Sequence, residues 1–129
     1  MGNTVPVSEL PGRDEAFCYV TTTGRRSSRP HTIEIWFGAS ERTLYVLAGG
    51  RGRADWVRNL RADPAVDVRL AGRHYQAHAR ELERGSDEDA LARRLLLAKY
   101  QSPGATDLEG WGRAALAVAF DLEVETGSA

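Results

Sequence analysis

The sequence predicts a mainly β domain, all-β or α+β, built as a small antiparallel barrel. Three observations support this prediction. Six stretches have the alternating or apolar pattern of strands, most of them follow one another through short turns, and two helical stretches are inserted among them. A doubly wound parallel sheet would alternate strands and helices regularly, so that class is disfavoured.

The first half of the chain contains three consecutive predicted strands. Residues 16–23, AFCYVTTT, are rich in β-branched and aromatic residues, and residues 31–37, HTIEIWF, alternate apolar and polar side chains. The loop GASERT precedes the third strand, LYVLAG, at residues 44–49. Residues 1–13 hold two prolines and two glycines and are expected to form an N-terminal arm, which leaves residues 14–129 as a single domain.

A short helix and a second hairpin follow. In ADWVRNLRADP, Trp56, Val57 and Leu60 recur at helical spacing, and Pro64 ends the predicted helix. Residues 65–83 then alternate apolar and polar side chains on both sides of an Ala-Gly turn, which predicts two antiparallel strands.

A longer helix and a last strand complete the domain. Ser86 and Asp89 resemble a capping box, and apolar residues recur at helical spacing as far as about Tyr100. After the loop SPGATDLEGWG, residues 113–125 alternate with apolar side chains at the even positions, as a strand does.

Composition excludes several classes of protein. The chain has 129 residues, enough for one domain, and its net charge of -1 gives no reason to expect nucleic acid or an anionic membrane as a partner. No apolar run approaches the roughly 20 residues of a membrane helix, so membrane insertion is not expected. Cys18 is the single cysteine, which excludes an internal disulfide and fits a cytoplasmic location, and its place in an apolar strand predicts a core residue.

The densest group of hydrogen-bond donors lies in TTTGRRSSRP, residues 21–30. Residues 24–61 contain eight arginines and three acidic residues, which leaves a local charge of +5 in a nearly neutral protein. Arg25 and Arg26 offer planar forks to phosphate or carboxylate, while Gly24 and Ser27 let the turn expose further donors. The pattern favours a bounded anionic ligand, with an ordinary solvated turn as the alternative.

A second glycine-rich turn strengthens this interpretation. AGGRGRADW follows a predicted strand and opens a predicted helix, so that Gly49 and Gly50 could admit a ligand close to the backbone. The stretch is neither a Walker motif nor a G-x-G-x-x-G dinucleotide motif.

In their order, these motifs resemble the deazaflavin-dependent nitroreductase and quinone reductase family. Its usual form has threonines, Gly-Arg-Lys-Ser-Gly, an Arg-Thr strand, a Gly-Gly turn and Trp-x-x-Asn-Leu-x-x-x-Pro. Here TTTGRRSSRPHTIEIWF, LYVLAGG and ADWVRNLRADPAVDVRL correspond, over roughly residues 16–82. The resemblance implies a six-stranded split β-barrel like that of pyridoxamine-phosphate oxidases, with one short and one longer helix, coenzyme F-420 as cofactor and a homodimer.

The resemblance also implies roles for individual residues. It assigns Arg25, Arg26 and Ser27 to the phosphate of the coenzyme and a second loop to the same side, while two residues of the short helix would shape the wall beside the ring system. The residues of that loop and helix are Gly49, Gly50, Arg51, Trp56 and Asn59.

Four departures from the family pattern keep alternatives open. Arg26 replaces the usual lysine, Ser28 replaces a glycine, and Glu34 stands where many relatives have proline. Leu47 and Ala48 replace a Ser-Lys pair before the Gly-Gly turn. FMN as the coenzyme, or a protein without a redox coenzyme, therefore stays possible. An inward-facing Glu34 would need a partner, for which an arginine is expected.

Other residues are weighed individually. Tyr100 could donate a proton to an acceptor substrate, or could simply pack. His31 adjoins the arginine turn and could contact the ligand, although a structural role is favoured. With His74 and His78 it lacks any metal-site spacing, so no metal is expected. Trp36 and Trp111 are expected in the core, a pocket or an interface.

The sequence thus predicts an oxidoreductase that transfers hydride from a reduced deazaflavin to a small quinone, enone or nitro compound. Two alternatives remain: an FMN-binding split-barrel reductase, and a non-catalytic split-barrel protein that binds a coenzyme or another ligand.

Overall fold

The computed structural model describes residues 10–49, 51–100 and 115–128. These residues form seven strands, two α-helices and a short 3-10 turn at Arg51–Arg53. In chain order the elements are β1 (Cys18–Thr23), β2 (Pro30–Ile35), β3 (Gly38–Ser40), β4 (Thr43–Ala48), α1 (Asp55–Ala62), β5 (Ala65–Leu70), β6 (Arg73–Glu81), α2 (Asp87–Tyr100) and β7 (Leu116–Ser128).

All seven strands belong to one antiparallel sheet with the order β2-β1-β5-β6-β7-β4-β3. The predicted mainly β class with one short and one longer helix is confirmed. The structure has one strand more than the six expected, because β3 occupies part of the predicted loop GASERT. Three residues are too few to show an alternating pattern, so this strand could not be predicted from the sequence.

Alternate residues of β4 face two different hydrophobic clusters. Leu44 and Val46 belong to the main core, while Tyr45 and Leu47 pack in a second cluster with residues of α2. Both faces of the strand are therefore buried, which explains why LYVLAG is continuously apolar. Cys18 lies in the main core with no exposed surface, as predicted, and burial raises its pKa to about 12.

Helix α1 packs against β1 and buries Val57, Asn59 and Leu60. The helix ends at Ala62, and its C-cap residue Asp63 stands immediately before Pro64, as the sequence predicts. Because α1 follows β4 in the chain but packs on β1, its first turn is brought beside the arginine-rich turn between β1 and β2.

The predicted capping box at the start of α2 is present with one difference. The Asp89 N–H donates to Ser86 Oγ at 3.1 Å, but Asp89 Oδ2 accepts from the Gly85 N–H, also at 3.1 Å, rather than from Ser86. The reciprocal bonds still satisfy two backbone donors at the helix start.

An ion-pair network joins α2 to the sheet. Arg80 on β6 lies 2.8 Å from Glu88 of α2 and 2.6 Å from Asp121 of β7, measured between nitrogen and oxygen atoms. The Tyr45 hydroxyl donates to Glu88 Oε2 at 2.7 Å. These contacts fix the position of α2 on the outer face of the sheet.

Within the described ranges, no helix is long and apolar enough to cross a membrane. The N-terminal arm over residues 1–9, Gly50 and the predicted loop with Trp111 lie outside the described residues.

Candidate functional site

A cavity of about 510 Å³ lies between the β1–β2 turn, the start of β2 and the first turns of α1. Six of the nine residues predicted to bind a cofactor line it: Arg25, Arg26, Ser27, His31, Trp56 and Asn59. Two separate segments of sequence therefore line one cavity.

Backbone hydrogen bonds fix the shape of the β1–β2 turn. The Gly24 N–H donates to the Arg29 carbonyl at 2.8 Å, and the Ser28 N–H donates to the Gly24 carbonyl at 2.9 Å. Ser28 adopts a φ of 61°, the left-handed conformation that favours glycine. The unusual backbone angle of the family's glycine is thus present here although the residue is serine.

Ser27 supports the turn and keeps a proton for a ligand. Its Oγ accepts from the Arg29 N–H at 3.2 Å. Because this contact uses the oxygen as an acceptor, the hydroxyl proton stays available to an anion in the cavity.

Gly24 is needed because its neighbours approach its Cα closely. A Cβ at this position would lie 2.6 Å from Ser27 Oγ and 2.7 Å from His31 Nε2. The imidazole of His31 and the hydroxyl of Ser27 can therefore both face the cavity only if residue 24 has no side chain.

Asn59 connects helix α1 to the turn. Its Oδ1 accepts from Arg25 Nη1 at 2.8 Å and from the Arg25 backbone N–H at 3.2 Å, and its Nδ2 donates to Thr22 Oγ1 at 3.2 Å. Asn59 is 3% exposed and Thr22 is 1% exposed. This buried amide is satisfied by protein partners and binds the turn to β1 and α1.

The two arginines at the start of the turn have different surroundings. Arg25 also lies 3.4 Å from Asp55 Oδ1, and its side chain is 24% exposed. Arg26 is exposed and, among the described residues, makes no hydrogen bond or ion pair. The guanidinium of Arg26 is therefore available to a ligand.

The other side of the cavity is apolar. Trp56 and Ile33 are partly buried against the main core, and the Trp56 ring centroid is 6.4 Å from that of Phe120. The lining of the cavity thus includes both cationic donors and an aromatic ring, which suits a ligand with an anionic group attached to a flat ring.

The second glycine-rich turn is not described in full. Gly49 follows β4 and is not among the residues that line the cavity. Gly50 and the side chain of Arg51 lie outside the described residues. The roles assigned to these three residues stay predictions.

Tyr100 lies at the end of α2 and does not line the cavity. Its hydroxyl is 2.8 Å from the Ala16 carbonyl and 3.0 Å from the Phe37 carbonyl, and it accepts from the Phe37 N–H at 3.0 Å. Burial raises its pKa. Its proposed role as a proton donor stays a prediction.

The remaining candidates have ordinary surroundings. Glu34 is exposed rather than inward-facing, and its carboxylate accepts a hydrogen bond from the Tyr19 hydroxyl at 2.7 Å instead of pairing with the arginine expected for a buried carboxylate. Because the carboxylate is in water, no cation is needed to hold it. His74 lies 3.4 Å from Asp67, and the described residues contain no cluster of metal-ligating side chains.

Sequence reasoning missed Asp55 and Thr22. Asp55 lies four residues before Asn59, so the helical period alone places both on one face of α1. The contact of Thr22 with Asn59 joins residues 37 apart in the chain, and no local pattern indicates it.

The chain is similar to a known protein family over most of its length. A model of the family described as F420H(2)-dependent quinone reductase matches residues 3–119. A search of curated proteins finds no match.

Solved structures show the same fold. HutZ, the heme storage protein from Vibrio cholerae, has a TM-score of 0.70 at 17% identity, with 87% of this chain and 85% of that chain covered. An F420-H2 dependent reductase (FDR-A) has a TM-score of 0.66 at 22% identity, with 84% and 95% covered. A protein provisionally named pyridoxamine 5'-phosphate oxidase from Listeria innocua has a TM-score of 0.61 at 14% identity, with 86% of each chain covered. The fold is that of the pyridoxamine-phosphate-oxidase-like split barrels.

Proposed function

Because the chain belongs to the F420H(2)-dependent quinone reductase family, we propose that it transfers hydride from reduced coenzyme F-420 to a small electron-poor acceptor. We expect a quinone to be preferred over an enone or a nitro compound as the acceptor. The protein is an oxidoreductase, and coenzyme F-420 is its cofactor. The observation that carries the proposal is the cavity itself, whose lining combines the unengaged Arg26 with the apolar side chains of Trp56 and Ile33.

The residues present fit this coenzyme, whose phosphate lies on a side chain attached to a flat deazaflavin ring. Arg26, the Ser27 hydroxyl and the space above Gly24 suit the phosphate, because they offer a cation, a free proton donor and close access to backbone. Trp56 and Ile33 suit the ring. The cavity of about 510 Å³ is within the usual range for small-molecule sites.

When bound, the coenzyme supplies the hydride. The chain then has to bind, orient and partly desolvate the reactants, and it needs no catalytic dyad for that purpose. Trp56 and Ile33 exclude water from one side of the cavity, while the arginine turn fixes the anionic end.

We also propose that the enzyme is a homodimer. Strand β2 is an edge of the sheet and is exposed along most of its length. A second copy would cover this edge and protect it from irregular pairing. Light scattering during size-exclusion chromatography measures the mass and checks the proposal.

Parallel titrations with coenzyme F-420 and with FMN test the choice of cofactor. The readout is tryptophan fluorescence, with Trp56→Phe expected to remove most of the quenching and Trp36→Phe as the matched control outside the cavity. Micromolar binding of coenzyme F-420 alone supports the proposal. Preference for FMN would place the protein with the flavin-binding reductases, and binding of neither would favour the non-catalytic interpretation.

A turnover assay tests the acceptor. Reduced coenzyme F-420 is mixed with a quinone, an enone or a nitroaromatic compound, and the return of the oxidised coenzyme's absorbance is followed. We expect the quinone to react fastest. Arg26→Gln should raise the KM for the coenzyme, whereas Arg94→Gln, on the exposed face of α2, should leave it unchanged.

A further inference from the structure

We infer that the two neighbouring arginines of the turn have different roles: Arg25 is a positioning residue held by Asn59, and Arg26 is the arginine that contacts the phosphate of the coenzyme. The inference rests on the proposed function. It revises the expectation that both side chains grip the phosphate together.

Arg25 is already engaged by the protein. Its Nη1 donates to Asn59 Oδ1 at 2.8 Å, its Nη2 lies 3.4 Å from Asp55 Oδ1, and its backbone N–H donates to the same Asn59 oxygen at 3.2 Å. The backbone N–H and the side chain of Arg25 thus both donate hydrogen bonds to Asn59 Oδ1. This arrangement fixes both the direction of the turn and the path of the Arg25 side chain across α1.

The acceptor that holds Arg25 is itself fixed. Asn59 is buried on α1, and its Nδ2 donates to buried Thr22 on β1 at 3.2 Å. Rotation of the amide would break three hydrogen bonds and leave polar atoms unsatisfied in the core. Asn59 therefore acts on the ligand through Arg25.

Arg26 has the opposite character. It lines the same cavity, is exposed, and makes no hydrogen bond or ion pair with any described residue. A guanidinium that the protein does not use keeps its full charge and all its donors for an anion.

Lysine should be able to replace arginine at position 26 but not at position 25. A lysine at 25 keeps the charge but has one nitrogen, so it cannot contact Asn59 and Asp55 as a planar fork does. A lysine at 26 still presents a positive charge to a phosphate. The same substitution at adjacent positions should therefore give different results, and each variant serves as the control for the other.

The experiment compares two ligands on each protein. One is coenzyme F-420, and the other is its deazaflavin nucleoside, which has the same ring without the phosphate side chain. The ratio of their dissociation constants, from tryptophan quenching, isolates the phosphate contact, and thermal melting is recorded in parallel. We expect Arg26→Lys to keep the ratio within about threefold and Arg25→Lys to reduce the preference for coenzyme F-420 about tenfold.

Asn59→Ala provides an independent route to the same residue. This variant should reduce the preference for coenzyme F-420 over the nucleoside about as much as Arg25→Lys does, although it removes no charge. The double variant should be no worse than either single variant, because both changes break one connection. Additive losses would overturn the inference.

Other outcomes are equally decisive. If Arg25→Lys and Arg26→Lys have the same ratio of dissociation constants, the division of roles is overturned. This holds whether both variants keep the preference for coenzyme F-420 or both lose it. If Arg25→Lys does not fold, Arg26→Gln is the deciding variant. It should lose the preference for coenzyme F-420 over the nucleoside while its melting temperature is unchanged. A variant that keeps this preference contradicts the inference. Wild-type protein that binds both ligands equally, or neither, would instead contradict the proposed function.

Discussion

Trp36 and Tyr100 stack face to face, with ring centroids 4.3 Å apart and ring planes within 3° of parallel. The stack joins the last residue of α2 to the residue that follows β2, and the Tyr100 hydroxyl bonds to the backbone of Ala16 and Phe37. This geometry separates two roles for Tyr100 that the sequence left open.

Tyr100→Phe should keep the stack and lose the hydroxyl contacts. We expect the free energy of unfolding to fall by about 1–2 kcal/mol, because backbone groups lose a partner. Chemical denaturation measures the loss, and kcat for quinone reduction by the folded variant should be unchanged. A fall in kcat of about a hundredfold or more would instead support Tyr100 as a proton donor.

Gly24→Ala should disturb the turn directly. The added Cβ would lie 2.6 Å from Ser27 Oγ and 2.7 Å from His31 Nε2, so these two side chains must move from their positions beside the turn, at a cost of about 1–3 kcal/mol. Coenzyme binding should weaken in parallel, as measured by fluorescence titration.

Gly52→Ala is the matched control for that variant. The nearest atoms to its Cβ would be those of the Arg61 guanidinium, which does not line the cavity and can move at the small cost of its surface ion pair with Glu81. A loss of stability and binding equal to that of Gly24→Ala would show that close approach at the turn is not the cause.

Ser28→Gly should stabilise the protein. The left-handed backbone at Ser28 strains a serine by about 1–2 kcal/mol, while glycine costs about 0.5–1 kcal/mol more entropy on folding. The net gain is about 0.5 kcal/mol in a denaturant titration. Ser40→Gly, in a strand without that conformation, should destabilise, and the same sign for both variants would contradict the explanation.

Acid should weaken the network around Arg80. Hydrogen bonds from Arg80 hold the pKa of Glu88 and of Asp121 below their ordinary values. The folded state therefore binds fewer protons than the unfolded state at acid pH, so the stabilisation is present at neutral pH and is lost as pH falls through the lowered pKa values.

We expect the free energy of unfolding to decrease from roughly pH 5 towards pH 2. Glu88→Gln should be less stable at pH 7 but less sensitive to acid over that range. Glu123→Gln, an exposed position on β7, is the control and should follow the wild type. Parallel curves for wild type and Glu88→Gln would exclude this network as a cause of acid sensitivity.

The sequence was sufficient for features that depend on local pattern. Alternating or apolar stretches predicted six of the seven strands, Pro64 marked the end of α1, and Ser86 with Asp89 marked the start of α2. The resemblance to a family, rather than a local pattern, assigned the arginine turn and Trp56 to one ligand, and both line the same cavity.

Features that depend on contacts distant in the chain were not predictable. Arg25 and Asn59 are 34 residues apart, and their hydrogen bond exists because α1 packs on β1. Their residue type suggested that Arg25 and Arg26 were both free to bind a ligand. Only the packed structure shows that Arg25 is hydrogen-bonded to the protein and that Arg26 is not. The partner of Glu34 was missed for the same reason, since Tyr19 faces it across the β1–β2 pair.

The crossing of α1 onto β1 limits how the site can be transferred to another protein. A hairpin that carries residues 18–35 brings the arginines but leaves behind Asn59, which comes from a segment beyond two further strands. Grafting this hairpin alone onto a foreign scaffold would yield a basic loop without a defined direction. Engineers who want its ligand preference would have to move the hairpin and the helix together, as one noncontiguous module.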